Sequence, residues 1–333
     1  MSEPLRIGLI GCGPRGLRGH VPGIRECSDA SLVAICDRDA ELANRTAAEL
    51  GATGYADHRA MLAHPDLEAV VIVTATPHHS ALAMAALEAG KHVLLEKPMA
   101  TSVDEAIELQ RRAQNMGLIG AIGYQYRFYP GLCWLVEQGR RLEAVQALIN
   151  RPRGMLASKY LAPGPDQGVL DYISHDLDLA MWLMGGPPLY VTAVLQQGLY
   201  SDTGAYENAS ILLEFEGRRT VTVQSTICAG GLATRFEVIG RHGSAGFSGE
   251  EGVLARQVPD PTMYTGYRSE VEHFDLPGDT GLAATAAMHA AFARAVRTGH
   301  FGTLASFEHG VRAMRLHEAV VEADRRGEKL CFE

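Results

Sequence analysis

The sequence contains no pair of cysteines in a Cys-x-x-Cys spacing. Cys12, Cys27, Cys36, Cys133, Cys228 and Cys331 are scattered along 333 residues. That pattern argues against a structural zinc site and against a disulfide framework. It predicts free thiols in a reducing, cytoplasmic setting. Long apolar runs are also missing: the region around Ala69 to Val73 falls far short of the roughly 20 residues a membrane span requires. The apolar run Leu5–Ile10 is too short for a secretory signal core. Positive charge is scarce as well. Thirty Lys and Arg stand against 39 Asp and Glu, for a net charge of -9. No basic face for nucleic acid and no polybasic segment for an anionic membrane is expected.

The composition is that of a globular chain, with 47% hydrophobic and 21% charged residues. The length suggests about two domains, large enough to fold without disulfide or metal staples. Residues 1–123 alternate short apolar runs with stretches of helical spacing. The runs are Leu5–Ile10, Ser31–Cys36, Ala69–Thr74, His92–Leu95 and Leu118–Gly123. The helical stretches are Arg15–Cys27, Asp39–Leu50, Ser80–Ala89 and Ser102–Met116. Gly51, Gly90 and Gly117 follow three of those stretches, as left-handed caps should. Continuous apolar strands alternating with helices predict an α/β doubly wound parallel sheet. Residues 124–333 read differently. Helices are expected at Gly131–Gly139, Asp171–Met184, Leu282–Thr298 and Ser306–Arg326, and strands fill much of 189–256. This half is therefore expected to be α+β with a large, open, mainly antiparallel sheet.

Gly11-Cys12-Gly13-Pro14-Arg15-Gly16 directly follows the first strand and opens the first helix. In such a turn the first glycine permits the bend and the second lets a pyrophosphate approach the backbone. The third lets helix and strand pack closely. The helix start supplies N–H groups and partial positive charge. Asp37 ends the second strand, 21 residues past Gly16, where an acid can accept hydrogen bonds from ribose hydroxyls. These features predict dinucleotide binding. Asp37 favours NAD, because a carboxylate repels a 2′-phosphate. Arg38 beside it keeps NADP possible, a solvated charge being the alternative.

Lys97, in Glu96-Lys97-Pro98, ends the His92–Leu95 strand, so it faces the crevice where open parallel sheets bind ligands. There it can polarise a substrate hydroxyl, a surface lysine being the alternative. Pro98 is a candidate for a cis bond. Thr74, Thr76, Pro77 and His79 end the neighbouring strand and, with Glu96, are candidate cofactor contacts; His78 and His79 could equally be polar helix-start residues. Asp171 and His175 stand at i and i+4, one turn apart on one helix face. A carboxylate beside an imidazole raises its basicity, suiting it to take a proton from an alcohol; an N-cap role for Asp171 stays open. Asp176 and Asp178 read as capping or structural residues.

The order Gly-x-Gly-x-x-Gly, Asp37, Thr76-Pro77, Glu96-Lys97-Pro98, Arg127-Phe128 and Asp171-x-x-x-His175 resembles the Gfo/Idh/MocA oxidoreductases. So do Ala86-Leu87-Glu88-Ala89-Gly90-Lys91-His92-Val93, His175-Asp176-Leu177-Asp178, Gly240-Arg241-His242-Gly243-Ser244 and Leu316-His317-Glu318-Ala319. The resemblance implies a Rossmann domain followed by an open-sheet domain. It also implies NAD or NADP and a sugar, cyclitol or related polyhydroxylated substrate. It makes Lys97, Asp171 and His175 the expected catalytic residues, with His175 as general base, Lys97 polarising the hydroxyl and Asp171 orienting His175 or holding a neighbouring hydroxyl. It places Arg127, and Tyr126 beside it, near substrate and cofactor. Histidines following Thr-Pro immediately depart from the family spacing, which leaves the roles of His78 and His79 open. Arg153, Lys159 and Tyr160 could reach substrate hydroxyls or a carboxylate, or lie on the surface. Two other outcomes fit the same residues: a tightly held cofactor that serves sugar-to-sugar redox or glycoside hydrolysis, and a non-catalytic nucleotide sensor. An exposed sheet face in the second half predicts a homodimer or homotetramer.

Overall fold

The computed structural model describes residues 3–152, 169–198, 202–229, 234–276 and 281–332. The chain divides into two compact units, Met1–Tyr129 with Thr280–Met314, and Pro130–Asp279 with Arg315–Glu333. The first unit thus takes back a stretch from near the chain's end, which a single boundary at residue 123 does not include.

In the first unit, parallel strands β1 (Leu5–Ile10), β2 (Ala30–Cys36), β3 (Thr53–Tyr55), β4 (Ala69–Ile72), β5 (His92–Leu95) and β6 (Gly120–Ile122) lie in the order β3-β2-β1-β4-β5-β6. Ala305–Ser306 adds a short antiparallel edge beside β6. This is the doubly wound arrangement the alternating pattern predicts. The helical stretches begin where a side chain can cap them: Asp39 accepts from Leu42 N–H and Ser102 from Glu105 N–H. Gly51, Gly90 and Gly117 all take positive φ. The first helical stretch differs from expectation. It opens as a π-helical turn, Gly16–His20, and becomes α-helical only over Val21–Arg25. Pro22 has no N–H to continue an i→i−4 ladder there. The strand β3 and the helix His58–Leu62 carry no periodic signal, being three and five residues long. The core joins Leu5, Ile7 and Leu9 of β1 to Val71, Leu94 and Ala121 of neighbouring strands, and to Met288 and Phe292 of the helix Gly281–Thr298.

In the second unit, β7 (Ala144–Pro152), β8 (Tyr190–Gln197), β9 (Tyr206–Phe215), β10 (Arg219–Thr226), β11 (Arg235–Gly240), β12 (Gly243–Ser248), β13 (Glu251–Pro259) and β14 (Tyr267–Asp275) form one sheet with Leu330–Cys331. Its order is β14-β13-β12-β11-β7-β10-β9-β8 followed by Leu330–Cys331. Among the described residues of this sheet only β7 and β10 pair in parallel; every other neighbour is antiparallel. The helices Pro130–Arg141 and Val169–Met184 pack against this sheet. Val191, Ala193, Ile211, Leu213, Val221 and Val223 are buried on the covered face. Val194, Leu212, Ile239 and Val271, on the opposite face, are exposed.

Candidate functional site

The glycine turn is built for close approach. Gly11 has φ +109, and a Cβ there would lie 2.5 Å from the Val73 carbonyl oxygen. A Cβ on Gly16 would come within 2.3 Å of the Gly11 carbonyl oxygen. A Cβ on Gly13 would meet nothing within 4 Å among the described residues. The second glycine therefore presents open backbone, as pyrophosphate approach requires. Arg15, at the N-cap of the following helical turn, makes no side-chain cap hydrogen bond and no acid stands in that turn, so its positive end is available to an anion. Asp37, at the end of β2, is tied to the same turn. Its Oδ2 accepts from Cys12 N–H at 2.8 Å and its Oδ1 from Asp39 N–H at 3.0 Å. Arg38 is exposed. These residues fit a dinucleotide: an open glycine face for the phosphates, with an anchored carboxylate beside it for a ribose. Cys12 is buried, and desolvation together with the Asp37 charge pushes its thiol up to about 12. It fills space as a neutral side chain.

Next along the sheet, Val73 to Pro77 leave β4 and enter a 3-10 turn, Thr76–His78. Thr74 and Thr76 are half-buried and Pro77 is exposed. His79 is buried between two carbonyls, with Nδ1 2.8 Å from Pro98 O and Nε2 3.1 Å from Thr74 O. Burial pushes its pKa below 6.5, so the neutral ring donates to one of them at a time. It braces the ends of β4 and β5 from inside the protein. Lys97, half-buried, follows β5, and the Lys97–Pro98 bond is cis.

Glu96, immediately before that lysine, is buried and faces the protein interior. Its Oε1 accepts from Arg15 Nε at 2.6 Å and from His20 Nε2 at 2.9 Å. Its Oε2 accepts from Lys97 N–H at 3.1 Å. Burial opposes its charge, yet the His20 hydrogen bond and the Arg15 guanidinium hold the carboxyl well below the usual range. Arg15 also donates to Gln125 Oε1 at 2.8 Å. Arg15 and Glu96 thus pair with each other. Arg127 is buried and donates to Thr303 O at 3.5 Å. Tyr126 is half-buried and meets Tyr129 edge to face, 5.3 Å between ring centres. The first unit therefore gathers Gly11, Gly13, Gly16, Asp37, Thr74, Thr76 and Lys97 along the carboxyl end of its sheet. His20 was not marked by the sequence reading. The available signal was a histidine three residues after Leu17 and next to Val21, on a helix face that turns inward.

In the second unit, Asp171 and His175 lie one turn apart on the helix Val169–Met184, both half-buried. Most of this helix is buried, which fixes the direction of that face. Asp176, fully buried, pairs with Arg151 and accepts from Ser225 Oγ at 3.0 Å. The Arg151 guanidinium carbon stands 4.0 Å from the centre of the Tyr172 ring. Arg151, at the end of β7, thereby anchors the helix that carries His175. Arg153, Lys159 and Tyr160 lie outside the described residues. No group of three or more His, Cys, Asp or Glu with metal-holding geometry occurs among the described residues.

Comparison with known proteins places these features. Residues 5–124 match the Gfo/Idh/MocA oxidoreductase family, NAD-binding Rossmann fold, and residues 139–246 match the Gfo/Idh/MocA C-terminal domain. The UDP-N-acetylglucosamine 3-dehydrogenase of Acidithiobacillus ferrooxidans is 35% identical over 194 residues, 57% of this chain and 58% of that protein. An inositol 2-dehydrogenase/D-chiro-inositol 3-dehydrogenase of Shouchella clausii is 27% identical over 264 residues, 77% of this chain and 72% of that protein. An oxidoreductase from Agrobacterium radiobacter, solved with NAD+, L-tartaric acid and magnesium, shares the fold. Its TM-score is 0.87 at 20% identity, over 99% of both chains. With both domain signatures in chain order and the glycine turn, Asp37 and Lys97 on one sheet end, the chain belongs to the Gfo/Idh/MocA family of NAD-binding oxidoreductases.

Proposed function

We propose that this enzyme oxidises a secondary alcohol of a small polyhydroxylated substrate, a sugar, cyclitol or sugar derivative. The observation that carries the reading is Lys97 at the end of β5, on the same sheet end as the open Gly13 turn and the anchored Asp37. Named activities of the relatives support the substrate class, since two of them are a nucleotide-sugar dehydrogenase and an inositol dehydrogenase. Bound NAD supplies the hydride acceptor. Lys97 donates a hydrogen bond to the reacting hydroxyl and lowers its pKa. His175 takes the hydroxyl proton as general base, and Asp171 orients His175 or holds a neighbouring hydroxyl. Asp37 favours NAD over NADP because its carboxylate occupies the ribose side of the turn.

The outer face of the second sheet supports assembly. Val194, Leu212, Ile239 and Val271 expose an apolar surface there, and the reading is a homodimer or homotetramer through that face. Light scattering that returns a monomer refutes this part. The scattered cysteines, none of them joined in a disulfide among the described residues, support a reducing, cytoplasmic setting. No helix among the described residues is long and apolar enough to cross a membrane.

The deciding experiment incubates protein and NAD with a panel of sugars, inositols and sugar acids while following absorbance of reduced cofactor. Lys97→Ala and His175→Ala each abolish turnover while NAD affinity, read by calorimetry, is retained. Full activity in either variant overturns the assignment.

A further inference from the structure

Behind Glu96 lies a chain of buried imidazoles that the proposed chemistry does not use. His20 and His289 are both fully buried. His20 Nδ1 lies 3.2 Å from His289 Nε2, their rings edge to face with centres 5.2 Å apart. His289 Nδ1 is buried with no hydrogen-bond partner among the described residues. Arg15, Gln125 and Thr285 complete the surroundings: Arg15 bonds both Glu96 and Gln125, and Thr285 Oγ1 lies 3.5 Å from Gln125 Oε1.

The donor and acceptor pattern fixes the protons. Glu96 is ionised, so His20 Nε2 must donate to it. In a neutral His20 the other nitrogen, Nδ1, is then an acceptor, and His289 Nε2 must donate. That leaves His289 Nδ1 as a bare lone pair. The alternative, a charged His20, reverses the second bond and puts an N–H on His289 Nδ1. A buried donor without a partner is rarer than a buried acceptor without one. Burial and the nearby Arg15 charge also keep His289 uncharged. The orphaned atom is thus a by-product of proton placement that serves Glu96.

We propose that Glu96 is a positioning residue registering the glycine turn to Lys97, and that His20 and His289, both as Nε2–H tautomers, hold it in place. One carboxylate oxygen grips Arg15 of the turn and the other grips the Lys97 backbone N–H. The turn that receives the cofactor phosphates and the lysine that meets the substrate therefore share one anchor. The His20 donor fixes the tilt of that anchor, and small losses of alignment at a reacting hydroxyl are expensive in rate.

The test uses the full chain, and its kinetic arm rests on the oxidoreductase reading above. Nitrogen-15 spectra of the histidine rings, with His20 and His289 assigned by substitution, should show both as Nε2–H tautomers. An Nδ1–H His289, or an imidazolium at either position, overturns the proposal. Glutamine can place its amide nitrogen near Nε2, whereas asparagine reaches only the Nδ1 position. His20→Gln should keep the Lys97 amide shift and kcat near wild type. His20→Asn should move that amide and lower kcat about tenfold or more, with KM for NAD changed less than about threefold. Equal damage in both variants, or an unmoved Lys97 amide in His20→Asn, also overturns it. If wild-type protein turns over nothing in the panel, the oxidoreductase reading fails, while the tautomers and the Lys97 amide still decide this one.

Discussion

Arg151→Met probes the anchor of the helix that carries His175. Arg151 is 1% exposed and Asp176 0%, so the pair is closed to water. The substitution keeps most of the side-chain volume and some contact with the Tyr172 ring. It leaves the Asp176 charge in a site whose Ser225 hydrogen bond cannot replace a guanidinium. Breaking a buried pair from one side costs about 3–5 kcal/mol. Replacing both partners with apolar residues removes the stranded charge. Arg151→Met with Asp176→Leu should then lie within about 2 kcal/mol of wild type, the remainder including a Ser225 hydroxyl left without its acceptor at about 1 kcal/mol. Both tryptophans of the chain, Trp134 and Trp182, belong to the second unit. Urea unfolding followed by tryptophan fluorescence therefore reads the unit in which the pair sits. A loss below about 1 kcal/mol for Arg151→Met refutes the reasoning, because the pair would then carry little charge-burial energy. So does a double variant at least as unstable as the sum of the singles, because the two residues would be uncoupled.

The glycine turn separates folding from binding. Gly13→Ala should fold with an unchanged melting temperature, since its Cβ meets no protein atom, while NAD affinity falls about tenfold or more as the methyl enters the phosphate approach. Gly16→Ala should instead destabilise the first unit by several kcal/mol, on the order of the larger overpacking penalties, because its Cβ meets the Gly11 carbonyl; equal melting temperatures for the two variants contradict this. Acid should destabilise the protein in two stages. His289 has a folded pKa lowered from 6.5, so below that value the unfolded chain binds a proton the folded one refuses. Stability falls by about 1.4 kcal/mol per pH unit from this group until the lowered value is reached. Glu96 is depressed from 4.5, so its contribution is intact above that pH and is lost as pH falls toward its folded value. Thermal melts from pH 8 down to well below 4.5 check both; a His289→Phe variant that retains the full slope just below pH 6.5 removes the first stage.

Local chemistry made much of this protein legible in its sequence. The alternation of apolar runs and helical spacing, the left-handed glycines after helices, and a glycine turn between a strand and a helix are each satisfied within one or two elements. A strand buried on both faces must be apolar throughout, and a phosphate can approach a backbone closely only where side chains are absent. Those needs mark the chain wherever they arise, so the parallel sheet, the change to an antiparallel sheet, and Asp37 and Lys97 at strand ends could all be read. Three- and five-residue elements such as β3 and His58–Leu62 leave too short a pattern to register.

Tertiary structure alone decided which polar groups meet. Arg15 and Glu96 are 81 residues apart, His20 and Glu96 are 76, and His20 and His289 are 269. No spacing rule links them, because the first two contacts depend on the parallel sheet bringing the end of β5 beside the glycine turn, and the third on a helix from near the chain's end returning to the first unit. In the sequence Arg15 and Glu96 each read as candidate cofactor contacts, and only packing shows that they satisfy one another. Asp176 beside His175 is equally ambiguous until β7 brings Arg151 to it. Elements announce themselves through local repeats of the backbone, whereas the pairing of buried charges follows from desolvation, which exists only once the chain has closed around them.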